Sequence, residues 1–224
     1  SNYAYAAHWG YDYRYVQLNQ SRMCNGHSFW GKVFYIAHHL RELEGSGSKC
    51  TWLLWLDSDA FIHEFDASLQ EFIAGLIRRY PLRRNAAMIV PEIRQLPPPN
   101  QPDHLTFYPV QKFQPEVQWL SPGVFLVRAG SRSRRFFEDW LAAGDAAPDL
   151  HWKWPADMGV LSEMVRPGLY PKAASSRTGM RNSSEAVDIV DMLDFDSPWG
   201  RFVAHCWGFH KYTRETDPWK GLMR

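Results

Sequence analysis

The chain has 224 residues, 45% of them hydrophobic, and its 25 Lys and Arg residues almost balance its 24 Asp and Glu residues. This length predicts a single domain over residues 1–224, and the composition excludes extensive disorder. A net charge of +1 excludes a general attraction to nucleic acid, and no apolar run approaches the about 20 residues that a membrane-spanning segment needs.

The N-terminal part of the chain predicts two helices and two strands. Residues 3–9 are typical of the end of a helix, and residues 11–18 alternate aromatic and polar side chains as a strand does. A helix is expected from Ser28, because apolar residues recur at helical spacing as far as the breaker sequence GSGS at residues 45–48. The apolar run CTWLLWL then predicts a central strand covered on both faces, and it ends directly in Asp57.

The middle of the chain continues this alternation. Ser68 and Glu71 form the capping-box pattern of a helix that is expected to end near Tyr80, and AAMIVPE predicts the next strand. Residues 96–115 are rich in proline and polar side chains, so we expect a long loop that faces a substrate.

The C-terminal part predicts two more strands and two more helices. GVFLVRAG at residues 123–130 predicts a strand, SRSRRFFEDWLAAG and ADMGVLSEMV predict helices, and RFVAHCWG predicts a last buried strand. Strands that alternate with helices indicate the α/β class, with a mainly parallel central sheet flanked by helices. In such folds ligands bind at the carboxyl ends of the strands.

The sequence Asp57-Ser58-Asp59 carries the most specific chemistry. Its two carboxylates follow a hydrophobic strand, where charge is costly unless a cation compensates it. Mg²⁺ and Mn²⁺ prefer carboxylate oxygens and leave positions open for substrate phosphates. The alternative is a turn in which one aspartate caps the backbone.

A second motif, HCWGFHK, follows the last predicted strand. His205 can complete the coordination of Mn²⁺, which accepts oxygen and nitrogen ligands together. Gly208 permits close approach of the backbone, and Lys211 offers a positive charge to a diphosphate. The motif is weak alone, because a histidine at a strand end is more often structural, but it becomes informative beside the paired aspartates.

Several segments together resemble one enzyme class. WLLWLDSDAFIHEF resembles the DxD segment of glycosyltransferases with the GT-A fold, and HCWGFHK matches their H-x-x-G-x-x-K motif. NYAYAAHWGYDYRYV is similar to the opening of the family that contains plant xyloglucan xylosyltransferases, galactomannan galactosyltransferases and fungal Golgi α-mannosyltransferases. Trp30-Gly31-Lys32 is similar to their W-x-K motif, and SPGVFLVRAGSRSRRFFEDW to their N-x-G-x-F-L-x-R-N segment. The resemblance implies a GT-A, Rossmann-like nucleotide-diphospho-sugar transferase fold.

The resemblance also implies a role for each matching residue. Asp57, Asp59 and His205 would bind Mn²⁺ or Mg²⁺, and Asp157 would be the catalytic residue that faces the transferred sugar. Lys211 would contact the diphosphate of the donor. The full set expected to bind substrate is Lys32, Ser58, Gly123, Gly208 and Lys211.

The implied reaction moves a sugar from a UDP- or GDP-sugar to a hydroxyl of a glycan or glycoprotein, with retention of configuration. The resemblance further implies a first strand upstream of Ser1 and a Golgi-lumen location with a type II anchor outside the chain. A cytoplasmic location is the alternative.

Two other functions would also use parts of this sequence pattern. A non-catalytic carbohydrate-binding or inactive transferase domain would use some of the 11 Trp residues to stack on sugars. A phosphatase of the DxD type would use Asp57 as nucleophile and Asp59 as general acid, with the segment at Gly144 as a partner. The phosphatase function is disfavoured, because Phe61 stands two places after Asp59, where a small hydroxyl residue or valine is expected, and because the segment at Gly144 follows a predicted helix and not a strand.

Overall fold

The structure is a computed structural model that describes residues 1–17, 28–93, 119–147, 156–167, 184–191, 196–197 and 202–205. Its helices are α1 (Asn2–Trp9), α2 (Gly31–Ser46), α3 (Leu69–Arg79), α4 (Ser131–Ala146) and α5 (Ala156–Val165). Its strands are β1 (Trp52–Leu56), β2 (Ala60–Ile62), β3 (Met88–Ile93), β4 (Trp119–Leu120), β5 (Val124–Arg128), β6 (Val187–Asp191), β7 (Asp196–Ser197) and β8 (Val203–His205). None of the described helices has the length and apolar character needed to span a membrane.

The described strands form two sheets. In the larger sheet β5 lies between β1 and β3, β4 pairs with β3 beside β5, and β6 pairs with the opposite edge of β3. The smaller sheet has the order β2, β8 and β7. Helices and strands thus alternate along the chain, and the expected α/β class is confirmed.

The expectation of a mainly parallel sheet is not confirmed, because the larger sheet is mixed. β3 and β6 are parallel, whereas β5 runs antiparallel to both β1 and β3, and β4 runs antiparallel to β3. A parallel neighbour requires a long crossover, usually a helix, but an antiparallel neighbour can follow a loop. A loop and no helix was predicted between the strands AAMIVPE and GVFLVRAG, which is compatible with this reversal.

Predicted helices agree well with the structure where local signals define their ends. Ser68 Oγ accepts a hydrogen bond from Glu71 N at 3.1 Å, and Glu71 Oε2 accepts one from Ser68 N at 2.9 Å, so the capping box of α3 is complete. α2 ends where the breaker sequence predicts, with Gly47 in the left-handed region at φ 63°.

In the N-terminal half one prediction was wrong and another is not confirmed. Residues 11–17 form no strand; they are anchored by side chains, such as the Arg14 guanidinium, which lies 3.3 Å from His39 Nδ1 on α2. β1 is not a covered central strand within the described residues, since it pairs there with β5 alone and all five of its residues are partly buried. The predicted loop at 96–115 lies outside the described residues.

The side chain of Asn2 fixes β2 at the start of the smaller sheet. Asn2 Nδ2 donates to Ala60 O at 2.9 Å, and Ile62 N donates to Asn2 Oδ1 at 2.9 Å. This amide therefore acts as a short strand partner for β2. It ties α1 to the chain immediately after Asp59.

Trp30, in the 3₁₀ turn before α2, fills the contact between α2 and α4. Its side chain is 1% exposed and belongs to the main core cluster with Val33, Leu40 and Trp140. Gly144 of α4 lies directly against the indole ring, and a Cβ there would lie 2.7 Å from Cζ2 and 2.8 Å from Cζ3. Only glycine therefore allows α4 to approach Trp30 this closely.

We expect Gly144→Ala to destabilise the protein by about 1–3 kcal/mol, because the added methyl group overlaps a ring that the core holds in place. Gly75→Ala in α3 is the matched control, since the nearest atom to its Cβ would be Arg78 NH2 at 4.0 Å. Higher helix propensity should make that control neutral or stabilising by up to about 1 kcal/mol. Urea unfolding measures both, and equal effects would contradict the close contact at Gly144.

Candidate active site

Four parts of the fold meet at the end of β1. Asp57 directly follows β1, Lys32 is the second residue of α2, and Asp157 is the second residue of α5. The fourth part is the break at residues 121–123, which separates β4 from β5. Asp57 N donates to Gly123 O at 2.8 Å across this junction. The structure therefore brings together four regions that are far apart in the sequence.

The ammonium of Lys32 lies at the centre of this meeting point. Lys32 Nζ donates to Asp57 Oδ2 at 2.9 Å and to Pro122 O at 3.0 Å, and it lies 3.3 Å from Asp157 Oδ2. Lys32 is 7% exposed and Asp157 is 4% exposed. The contacts to Asp57 and Pro122 are hydrogen bonds, whereas the contact to Asp157 is an ion pair, and Asp157 Oδ2 is buried without a hydrogen-bond partner.

Burial and charge act in opposite directions on the two buried groups. Burial lowers the pKa of Lys32, but the carboxylates of Asp157 and Asp57 outweigh it and raise that pKa above its usual range. Burial and the nearby charge of Asp57 raise the pKa of Asp157, against the opposing effect of Lys32 and the Met158 N–H. Lys32 therefore stays charged, while its charge offsets part of the rise in the pKa of Asp157 that burial causes.

Asp57 is held on both carboxylate oxygens. Trp55 Nε1 donates to Asp57 Oδ1 at 2.7 Å, opposite the Lys32 contact on Oδ2. Ala60 N donates to Asp57 O at 3.0 Å, which closes the turn that carries Ser58 and Asp59. Ser58 is exposed, whereas Asp57 and Asp59 are partly buried. The first aspartate is thus fixed by protein groups while the turn stays open to solvent.

The backbone at the start of α5 sets the position of Asp157. Ala156 has φ 32°, a left-handed conformation that is costly for a residue with a Cβ. Trp140 Nε1 on α4 donates to Asp157 O at 3.1 Å. The carboxylate also lies in the first turn of a helix, where the helix dipole favours negative charge. The left-handed backbone at Ala156, the hydrogen bond from Trp140 and the helix dipole together place Asp157 beside Lys32.

Pairing between β2 and β8 brings the C-terminal part of the chain to the same region. The register places His205 opposite Ala60, the residue that follows Asp59. The backbone of residue 205 therefore lies next to the turn at residues 57–60, which we call the acidic turn. The side chain of His205 lies outside the described part of the structure, as do Gly208 and Lys211 in full.

The donor set at the acidic turn fits a hard divalent cation in its chemistry. Asp57 and Asp59 offer carboxylate oxygens at a partly exposed turn, and such oxygens are the ligands that Mg²⁺ and Mn²⁺ prefer. Among the side chains that the structure describes, no group of three His, Cys, Asp or Glu residues could hold a metal ion. A third protein ligand would have to come from outside that part, where the side chain of His205 belongs.

Two groups at the site were not predicted from the sequence. The indole of Trp55 had a readable signal, because residues two apart on a strand point to the same face and Asp57 follows at that spacing. The carbonyl of Pro122 had none, since its role depends on the break at residues 121–123. The proposed phosphatase partner is not supported, because Gly144 and Asp145 lie within the last turn of α4.

We expect Lys32→Met to destabilise the protein by about 3–5 kcal/mol at pH 7.5, because it leaves two carboxylates near each other without their cation. The loss should be smaller at pH 5. Without Lys32 the pKa of Asp157 rises further in the folded state, so the folded protein binds a proton more readily than the unfolded chain and stability falls as pH rises.

Urea unfolding at both pH values measures this, with Lys49→Met as the control at an exposed lysine. The control should change the free energy of unfolding by less than about 0.5 kcal/mol. A loss from Lys32→Met that is as small as the control, or equal at both pH values, would contradict the role of Lys32 as the cation between two acids.

Comparison with known proteins identifies the family. The model of the galactosyl transferase GMA12/MNN10 family matches residues 2–173, which include Lys32, the acidic turn, the 121–123 break and Asp157. The match ends before His205 and Lys211. Searches of curated proteins and of solved structures each returned no match. The chain belongs to the galactosyl transferase GMA12/MNN10 family and is a glycosyltransferase.

Proposed function

We propose that this glycosyltransferase is metal dependent and moves a sugar from a UDP- or GDP-sugar to a hydroxyl of a glycan or glycoprotein, with retention of configuration. The observation that carries the proposal is the β2–β8 register, which brings residue 205 beside the turn that bears Asp57 and Asp59. Two carboxylates and an imidazole are a ligand set suited to Mn²⁺. Family membership supports the donor class and the acceptor class.

The residues that would hold the cation are Asp57, Asp59 and His205. When bound, Mn²⁺ or Mg²⁺ supplies the positive charge that stabilises the leaving nucleoside diphosphate. Lys211 would bind the same diphosphate directly, and Gly123, Ser58 and Gly208 would line the donor site. We also infer a Golgi-lumen location, which rests on the family resemblance alone.

Asp157 would stabilise the positive charge that develops on the transferred sugar. The charge of Lys32 favours the ionised form of this carboxylate, and burial strengthens the electrostatic interaction by excluding water. The acceptor hydroxyl would attack the anomeric carbon on the face from which the diphosphate departs, and a phosphate oxygen would take the hydroxyl proton. No protein nucleophile is needed for this route.

The contacts of Lys32 define its part in the proposal. Lys32 donates two hydrogen bonds, to Asp57 and Pro122, and forms an ion pair with Asp157, so direct binding of the donor substrate would compete with these contacts. We therefore assign Lys32 the role of holding Asp57 and Asp157 in place. Direct binding of the donor by Lys32 would require local rearrangement.

Thermal unfolding with a panel of UDP-, GDP- and dTDP-sugars, with and without Mn²⁺, tests the function. Ligand at 100 times its Kd stabilises by about 2.7 kcal/mol, which raises Tm by about 5–10 °C for a chain of this size. We expect such a rise for one donor class and only when Mn²⁺ is present. No metal-dependent rise with any donor would contradict the proposal and favour a non-catalytic domain.

Asp59→Asn should abolish Mn²⁺-dependent transfer and the metal-dependent rise in Tm, because an amide is a much weaker ligand for a hard cation than a carboxylate. Asp66→Asn is the control, an exposed acid further along the same segment. The control should retain activity within about twofold, since surface substitutions have small effects. Equal turnover in both variants would remove Asp59 from the metal site.

A further inference from the structure

Trp55 is a partly buried donor at the site, and neither the family resemblance nor the proposed reaction gives it a role. Its Nε1 donates to Asp57 Oδ1 at 2.7 Å, while Lys32 Nζ donates to Asp57 Oδ2 at 2.9 Å. Hydrogen bonds to an ionised acceptor are stronger than neutral ones. The two donors therefore fix the plane of the Asp57 carboxylate from opposite sides.

The indole of Trp55 is itself held in place. Its ring stacks with Phe125 on β5, with centroids 6.4 Å apart and planes at 19°, and it contacts Tyr35 on α2 at 6.2 Å and 50°. Phe125 is fully buried. Because β1 and β5 pair with Trp55 opposite Phe125, the sheet register sets the position of the indole N–H.

We propose that Trp55 is a positioning residue, which orients the Asp57 carboxylate for the donor and its cation through the indole N–H. This inference rests on the proposed function. A carboxylate oxygen has two lone-pair sites, and within the described part of the chain Trp55 and Lys32 each occupy one site on a different oxygen of Asp57. Mutation of a residue that orients a metal ligand through a hydrogen bond typically lowers metal affinity or activity 10–100-fold.

Trp52 provides a matched control on the same strand. It is partly buried like Trp55, and its ring contacts the Arg128 guanidinium, whose Cζ lies 4.3 Å from the ring centroid. Trp52 and Trp55 are three residues apart and therefore face opposite sides of the strand. The same substitution at both positions removes an indole from β1, but only at Trp55 does it remove a donor to Asp57.

The kinetic experiment compares Trp55→Phe with Trp52→Phe. We expect Trp55→Phe to lower kcat/KM and to raise the Mn²⁺ concentration for half-maximal activity, each by about 10-fold or more. Trp52→Phe should leave both within about twofold, and the two variants should differ little in Tm. Equal effects of the two variants, or a Trp55→Phe enzyme indistinguishable from wild type, would overturn the positioning role.

A second readout does not require activity. In the ¹H–¹⁵N spectrum, the indole cross-peak that disappears in Trp55→Phe identifies Trp55. We expect Asp57→Asn to move this cross-peak upfield, because the amide oxygen is a weaker acceptor, and to leave the Trp52 cross-peak in place. An unmoved Trp55 cross-peak would overturn the positioning role alone, whereas a wild-type protein without metal-dependent transfer would overturn the proposed function.

Discussion

The site depends on one buried ammonium placed between two carboxylates. Lys32 contacts Asp57 and Asp157 from the start of α2, and without it two acids would share a poorly solvated region with like charge. Each ion in such a cluster loses hydration energy that only the other ions and their hydrogen bonds can offset. The positions of α2, β1 and α5 are therefore coupled through a single side chain.

Aromatic packing around this cluster supplies the rigidity that it needs. Trp30 fixes the first turn of α2 against Gly144, Trp140 binds the backbone of Asp157, and Trp55 binds Asp57. A tryptophan thus helps to position each of the three charged residues, which are Lys32, Asp57 and Asp157. This arrangement gives part of the high tryptophan content a structural role, which differs from the stacking on sugars that a carbohydrate-binding domain would need.

Predictions from the sequence agree with the structure where the signal lies within a few residues of the feature that it specifies. The capping box of α3, the Gly47 end of α2 and the apolar run of β1 are encoded within a few residues, and each was predicted. The pairing of β5 with β1 and the Lys32–Asp157 contact depend on tertiary packing between distant segments, and no local pattern specifies them. Residues 11–17 alternate like a strand but are held by side-chain contacts, so tertiary context overrides their propensity.

Pulsed electron paramagnetic resonance of Mn²⁺ added to the wild-type protein with UDP or GDP tests the proposed metal site most directly. We expect ¹⁴N modulation from an imidazole ligand and ³¹P coupling from the diphosphate, with the ¹⁴N signal lost in His205→Ala. A Mn²⁺ spectrum identical to that of the hydrated ion with nucleotide alone would contradict binding of the cation between the acidic turn and residue 205.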